Sequence, residues 1–518
     1  MIKPSKSFAG ILGGCWIALA SGSAAGPNSS APPWVDEQMA SIRSARPILI
    51  VTTDIGGDPD DQQSMRRLLL YANEFDIRGL IASASGTPGE LEHATTSPGL
   101  IHEIIDDYAR VQSNLRGHDS AYPPADALRA IVASGSPERA VSDIGEEGST
   151  EGSRLIVRTV EQADGPVNIA IWGGARDVAQ ALYDARAARP AAGLKRFVSK
   201  LRIHAIGDQD GRGGSRDGKR VDVPATGGWI RDNFPSVLYI ETGTPATDRY
   251  SAVFRGMYQN DSTSGGNAPK PLVKPGVEAL NNEKWVRENV NAGHGPLGAG
   301  YPLVRQNPRS PRNTIGVKEG DTPSWFYFLP LGLSDPDQPA WGGWGGRFRL
   351  DEGGDYFLDG EDIHWSDAAD AAVRRKWTVA RWRAAYQNDF AARMDWCVEN
   401  RDGANHPPSL RVCRSGTLAR VRLTADPGER LRIPAEGYDP DGDALSFGCW
   451  IYAEVTGANR KDLVIGNASK PPFEIDVKRE AAGRQYHLIV EVSDAGVPSL
   501  TRYRRIIIDV AEDESVEK

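Results

Sequence analysis

Four carboxylates, Asp54, Asp58, Asp60 and Asp61, fall within eight positions of the segment TTDIGGDPDDQQS, residues 52–64. They follow ILIVTT (48–53), a short apolar, β-branched run that predicts a strand, and they open a stretch with Met65, Leu68 and Leu69 at helical spacing. The carboxyl end of a strand in an open α/β sheet is where such folds bind ligands. Like charges a few ångströms apart raise each other's pKa, whereas a hard divalent cation takes several oxygens and relieves the repulsion. Gly56 and Gly57 let the backbone curl around such an ion. The plainer reading is an Asp-rich helix start, because Asp58 to Asp61 favour the positive end of the following helix. Capping accounts for one or two of these aspartates but not for Asp54, which closes the strand. The segment predicts a metal loop.

Other residues bear on the same chemistry. IGDQDGRGG (206–214) follows the run LRIHAI, which places Asp208, Gln209 and Asp210 on the rim of the metal loop. They would bind sugar hydroxyls or form an Asx-rich turn, and both readings stand. Trp341 and Trp344 in PAWGGWGGRF offer flat faces for pyranose stacking; the other reading is that they are large core residues. His294 in HGPLG is a candidate proton donor, although a lone histidine in a Gly-rich loop more often serves local hydrogen bonding. The segment Tyr438 to Asp443, YDPDGD, reads as a hairpin turn, with a surface Ca²⁺ as the alternative.

The elements that must position these residues alternate. Beyond the first strand and helix come IRGLIAS (77–83), a helical stretch from about Gly99, VNIAIW (167–172), a helix from Ala175, LRIHAI (201–206) and SVLYIE (236–241). This order predicts an α/β domain with a mostly parallel sheet and helices on both faces. Residues 260–365 are rich in Gly, Pro and Trp and predict long loops, which at that size serve a site. After a helical stretch from about Asp367 to Cys397 and the turn at Asn405, the pattern changes to short strands: ARVRLTA, RLRIPA, LSFGCWIYAEV, YHLIVEVSD and YRRIIIDVA. They predict a β-sandwich of the Ig or cadherin kind, its last strands presenting Arg and Lys on a solvated face. The expected divisions are a signal peptide over 1–25, a linker over 26–46, the α/β domain over 47–400 and the β-sandwich over 408–513.

Composition narrows the function. With 518 residues, 69 acidic against 60 basic, and a formal charge of −9 without any Lys/Arg-rich tract, the chain is not patterned for a phosphate backbone. Nucleic acid is excluded as an expected partner. Lys3 and Lys6, the apolar run Phe8 to Ala20 and SGSAAG read as an export signal cleaved near Ala24 or Ala25. A lipoprotein box ending at Cys15 is the rival reading, but apolar residues follow that cysteine where a polar tether would be expected. A secreted or periplasmic protein is expected, with no membrane association beyond export, since no later segment has the roughly 18 to 20 apolar residues of a spanning helix. Cys397, Cys413 and Cys449 permit one bridge, of unspecified pairing, and leave one thiol over.

The strand-end Asp, the Gly-bearing loop and the Asp-Asp pair opening a helix resemble the metal loop of the nucleoside hydrolases, which hold Ca²⁺ there. GGARDVAQAL (173–182) resembles that family's Gly-Pro-Leu-Thr-Asn segment, whose Thr position ligates Ca²⁺ through its carbonyl, and GDTPSWFYFLPLGL (320–333) resembles the segment with the distal Asp ligand. Together with IGDQDGRGG and HGPLG, these segments most resemble a branch described as cellulose-binding proteins with a nucleoside hydrolase-like domain and a C-terminal β-domain. The resemblance implies Ca²⁺ held by Asp54, Asp61, the Arg176 carbonyl and Asp321, with Asp58 able to replace a loop ligand and Asp60 facing substrate. It implies Asp54 as the base that takes a proton from water and a sugar or nucleoside-like compound as substrate. Three departures bear on specificity. The loop is longer by two residues, Gly320 stands where the family has His, and the Asn/Glu cluster that grips ribose has no counterpart. Two functions follow: a secreted Ca²⁺-dependent hydrolase of an N- or O-glycosidic bond, or a carbohydrate (cellulose)-binding protein that keeps the fold without catalysis.

Overall fold

The computed structural model describes residues 31–57, 59–84, 95–211, 215–216, 219–220, 225–243, 251–258, 272–303, 316–367 and 369–513. The expected signal peptide, the Cys15 reading and Asp58 lie outside them. Among the described residues no helix is long and apolar enough to cross a membrane.

The first domain is built on β1 (Ile48–Thr53), β2 (Asp76–Ala82), β3 (Val132–Ser134), β4 (Val167–Ile171), β5 (Leu201–Ala205), a two-residue ribbon of β6 (Ser215–Arg216) and β7 (Lys219–Arg220), then β8 (Leu238–Glu241), β9 (Phe348–Leu350) and β10 (Phe357–Asp359). One sheet runs β3-β2-β1-β4-β5-β8-β10-β9, and within it only β9 against β10 is antiparallel. Helix Asp60–Leu70 packs Met65, Leu68 and Leu69 on one face of the sheet, while helices Glu151–Gln162 and Arg176–Ala188 pack Ile156, Val178 and Leu182 on the other. A sheet covered on both faces needs strands that are apolar throughout, and β4 is buried at every position. The strand order reverses between β1 and β4, and their register is level, Thr52 standing opposite Ile171. The crevice beyond that reversal is where an open α/β sheet takes a ligand, and both Asp54 and Gly173 sit at its lip.

The second domain carries β11 (Ser409–Val412), β12 (Val421–Ala425), β13 (Arg430–Ile433), β14 (Ala435–Tyr438), β15 (Ser446–Ile451), β16 (Leu463–Ile465), β17 (Phe473–Val477), β18 (Gln485–Ser493) and β19 (Thr501–Val510). They form a four-stranded sheet β12-β19-β18-β15, a three-stranded sheet β13-β17-β16 and the pair β11-β14. Side chains from these sheets, among them Phe473, Ile475, Leu488 and Ile506, meet in one core.

Two expectations are corrected here. The stretch expected as a linker contains helix Pro33–Ser44, which buries Trp34 and Val35 and reaches the second domain through Gln38 Nε2 donating to Leu410 O at 3.0 Å. The arginines of β19 do not lie on a solvated face. Arg504 and Arg505 are buried, and Arg505 donates to Leu333 O at 2.7 Å and Trp341 O at 2.9 Å. Arg502 pairs with Asp389 at 2.8 Å, and Tyr452 Oη donates to Asp362 at 2.7 Å. Arg502 and Arg505 thus reach the first domain across the seam, while Arg504 donates to Ser415 within the second domain, and alternation along one strand cannot distinguish such covered positions from wet ones. Cys397, Cys413 and Cys449 are free thiols, so none supplies the permitted bridge.

Candidate metal centre

Helix Asp60–Leu70 begins without a side-chain cap; its N-cap is Pro59. Its first two residues, Asp60 and Asp61, project toward Asp321, which stands just before the short helix Thr322–Phe326. One carboxylate oxygen from each lies within 4.8 Å of the others. Asp61 and Asp321 are buried and Asp60 is half-buried. The Thr53 hydroxyl, at the end of β1, donates to Asp61 Oδ1, and Tyr258 Oη donates to Asp60 Oδ2 at 3.3 Å. Gly320 makes this approach possible, because a Cβ there would stand 2.8 Å from Tyr258 Oη and 3.1 Å from Asp60 Oδ2. Three carboxylates without His or Cys make a donor set for a hard cation such as Ca²⁺, and the cluster fits that ion. Beside it, burial pushes the Lys318 amine down to about 8 while the Asp321 charge draws it back up.

Asp54 is 2% exposed and stands against the first turn after β4. A Cβ at Gly173 would be 2.6 Å from Asp54 Oδ1, so the backbone there passes directly over the carboxylate. Asp54 is thus brought to the switch point, while the three-carboxylate group is made by Asp60, Asp61 and Asp321.

A buried ion pair holds the Asp321 loop. Arg67 Nε meets Glu319 Oε2 at 2.6 Å, both side chains being fully buried. Glu319 also accepts from Tyr301 Oη at 2.6 Å and Thr322 Oγ1 at 2.7 Å. Burial opposes the charge on Arg67, but the groups around it, Glu319 foremost with Tyr301 and Tyr71, together raise the guanidinium's pKa. Gln63, on the same helix, accepts from Lys318 N at 2.7 Å and donates to Gly316 O at 3.0 Å. The Ser324 hydroxyl donates to Asp321 O at 2.6 Å and accepts from Trp172 Nε1 at 3.0 Å. Tyr258, Glu319, Thr53 and Ser324 were not identified from the sequence; only Thr53 and Glu319, adjoining or two residues from an expected ligand, carried a local signal.

Several expected site residues are placed elsewhere. Arg176 is the first residue of helix Arg176–Ala188, so its carbonyl points along the helix into the ladder rather than back to the strand ends; its guanidinium binds Gly148 O at 2.8 Å and Asp143 O. Asp208 lies at the start of helix Thr226–Asn233, accepting from Gly227 N at 3.0 Å and Gly228 N at 2.8 Å. Gln209 donates to Trp172 O, and Asp210 accepts from the Thr226 hydroxyl. Burial pushes the Asp210 carboxyl well above the usual range, against the Thr226 hydrogen bond and with the Asp208 charge adding to the rise. These three residues build the turn beside the crevice rather than a sugar-facing surface.

Trp344 is 1% exposed and packs edge-on to Phe326, Tyr386 and Tyr503, while Trp341 is buried against His487 and the Arg505 guanidinium. Neither indole has an open face for a pyranose. His294 Nε2 is 3.0 Å from Asp395 Oδ1, and the adjacent Gly295 sits between Val111 and Val398, a neighbourhood apart from the carboxylate cluster.

A parallel sheet with a carboxylate cluster at its first switch point defines an α/β class of the nucleoside hydrolase kind. The family model described as the cellulose-binding Sde182, nucleoside hydrolase-like domain, matches residues 48–348, and that of the cellulose-binding protein Sde0182, C-terminal domain, matches residues 430–510. The chain belongs to this family of cellulose-binding proteins with a nucleoside hydrolase-like domain. It is similar to a solved nucleoside hydrolase-related hypothetical protein from Saccharophagus degradans that is associated with carbohydrate metabolism, with 28% identity and a TM-score of 0.70 over 90% of this chain and 100% of that one. An inosine-uridine preferring nucleoside hydrolase from Bacillus anthracis is matched at 14% identity and TM-score 0.23, over 40% of this chain and 66% of that one, too weakly to carry an argument. The chain matches no curated protein.

Proposed function

We propose that this protein is an exported Ca²⁺-dependent hydrolase of a glycosyl bond, acting on a carbohydrate or nucleoside-like substrate. The observation that carries the proposal is the meeting of Asp60, Asp61 and Asp321 oxygens within 4.8 Å, at the carboxyl end of the strand that Asp54 follows, with the Asp54 carboxylate held under Gly173 at the switch point of the sheet. When bound, Ca²⁺ supplies Lewis acidity toward water and a ligating surface for vicinal hydroxyls. Asp60, Asp61 and Asp321 would hold it; Thr53 and Tyr258 orient two of those carboxylates by hydrogen bonds. Asp54 takes the proton of the water that attacks the anomeric carbon, and the surrounding negative charge favours the oxocarbenium-like transition state.

The family's description as cellulose-binding supports a second reading, carbohydrate binding without turnover. Binding alone gives no reason for a buried carboxylate, Asp54, at the switch point of the sheet. Screening the purified protein against glycans and nucleosides with and without chelator separates the two. Release of free sugar that chelator abolishes supports the hydrolase; tight glycan binding with no product overturns it.

A further inference from the structure

At the junction of the domains, three buried side-chain oxygens have no hydrogen-bond partner among the described residues: Asn405 Oδ1, Asp439 Oδ2 and Asp494 Oδ2. Their residues are 7%, 8% and 4% exposed. Each side chain is pinned by its other polar atom. Asp439 Oδ1 accepts from Asp441 N at 2.9 Å and Asp443 N at 3.0 Å. Asp494 Oδ1 accepts from Gly496 N and Leu500 N, both at 3.0 Å, and from Asn405 Nδ2 at 3.1 Å. Asn405 Nδ2 also donates to Pro498 O at 2.8 Å. Both of its partners are acceptors, so the amide cannot be turned over, and its oxygen is the unpaired atom.

The three residues come from one end of the second domain. Asp439 follows β14, Asp494 follows β18, and Asn405 lies in the connection that leads into β11. The turn that carries Asp439 and the turn that carries Asp494 meet at adjacent residues of the connection, Asn405 Nδ2 donating to Asp494 Oδ1 at 3.1 Å and His406 N donating to Asp441 Oδ2 at 2.6 Å. Two buried carboxylates and an amide oxygen, none with a salt bridge or donor on its outer atom among the described residues, are costly unless a cation completes them.

We propose that Asn405, Asp439 and Asp494 form a second cation site, for a hard divalent ion of the calcium class, that ties the connection between the domains to the second domain. Oxygen donors of this kind suit Ca²⁺ and exclude the softer metals. The site adjoins the contact that already spans the junction. Asp441 accepts from His406 N at 2.6 Å, and His406 Nε2 is 2.8 Å from Nδ1 of His118 on the first domain. The Asn405 carbonyl accepts from Trp396 Nε1 at 2.9 Å, and Trp396 stacks on both histidines. An ion held by Asn405 would therefore stiffen the connection at its attachment to both domains.

The test uses the full chain, Ca²⁺ as the probe, and two readouts: bound Ca²⁺ per chain after equilibrium dialysis, and protease cleavage of the connection at residues 399–408. Wild type is expected to bind one more ion than Asp439→Asn or Asp494→Asn, these variants losing affinity at the site by about tenfold or more. Asp321→Ala, directed at the first-domain cluster, should keep the junction ion. Chelator should speed cleavage of the connection in wild type and in Asp321→Ala but not in Asp439→Asn. If neither aspartate variant folds, the comparison of wild type with Asp321→Ala still decides, since an ion retained by Asp321→Ala and a connection still protected by Ca²⁺ require the junction site. Equal Ca²⁺ counts for wild type and Asp439→Asn overturn the proposal, as does loss of all bound Ca²⁺ in Asp321→Ala. A shared proton rather than an ion would leave Asp439→Asn at least as stable as wild type, with Ca²⁺ protecting neither, and would also overturn it.

Discussion

Glu319→Gln tests whether the metal loop depends on the buried pair beneath it. The substitution keeps the shape and one acceptor for Tyr301 or Thr322 but leaves the Arg67 guanidinium fully buried without its carboxylate. Removing one partner of such a pair costs about 3–5 kcal/mol, most of it the uncompensated charge. Arg67 retains Gln387 Oε1 at 2.7 Å and the face of Phe390 at 3.7 Å, which places the cost toward the lower figure. A chain of this length has an unfolding entropy of about 1 kcal/mol per kelvin, so calorimetry should show the melting temperature lower by about 3 °C. Because Glu319 is two residues from Asp321 and bonds Thr322, Ca²⁺ affinity should also fall about 10- to 100-fold, the usual cost of losing a group that orients a ligand. Arg67→Met combined with Glu319→Gln removes both charges and should recover part of the lost stability. A melting temperature within about 1 °C of wild type for Glu319→Gln, or a double variant no better than either single one, would refute the reasoning.

Asp54→Asn keeps size and one oxygen but loses basicity, and turnover on any substrate found should fall about 10²-fold or more while sugar binding persists; equal turnover removes Asp54 from the base's role. Gly173→Ala places a Cβ 2.6 Å from Asp54 Oδ1, so the carboxylate or the backbone must shift, lowering stability by about 1–3 kcal/mol and turnover with it; a variant that melts and turns over like wild type would show that the contact is not tight. Asp389 is held down to about 2, burial pushing it up but the Arg502 and Arg393 charges outweighing that. A folded value below the unfolded one contributes stability that is complete above the unfolded pKa near 3.8 and is lost as pH falls through about 2, worth about 2 kcal/mol. Denaturant melts of wild type and Asp389→Asn should therefore converge by that amount between pH 5 and pH 2, and a constant difference would sink the assignment.

What the sequence determined by itself was what local pattern controls. The run ILIVTT, the glycine-bearing loop and the helical spacing of Met65, Leu68 and Leu69 are short-range features, and they sufficed for β1, helix Asp60–Leu70 and the aspartates between them. The change from alternating strands and helices to short strands near residue 405 likewise announced two architectures. In the second domain strands β11, β14, β16 and β17 were missed because each has only three to five residues and lacks a long apolar run. Which face of an element is covered depends on a partner distant in the chain, and that only the tertiary structure decided. Trp341 and Trp344 sit beside glycines that look open, yet β19 and helix Arg383–Asp395 close over them. The charged residues of β19 sit among apolar ones as surface residues do, yet a carboxylate and a carbonyl of the first domain, more than a hundred residues earlier, pair with Arg502 and Arg505. Asp208 and Asp210 lie on the rim where the order of strands put them, but the start of helix Thr226–Asn233 takes up both oxygens of Asp208 and one of Asp210. A carboxylate's role is set by which donors fold against it, and neither spacing nor residue type carries that information.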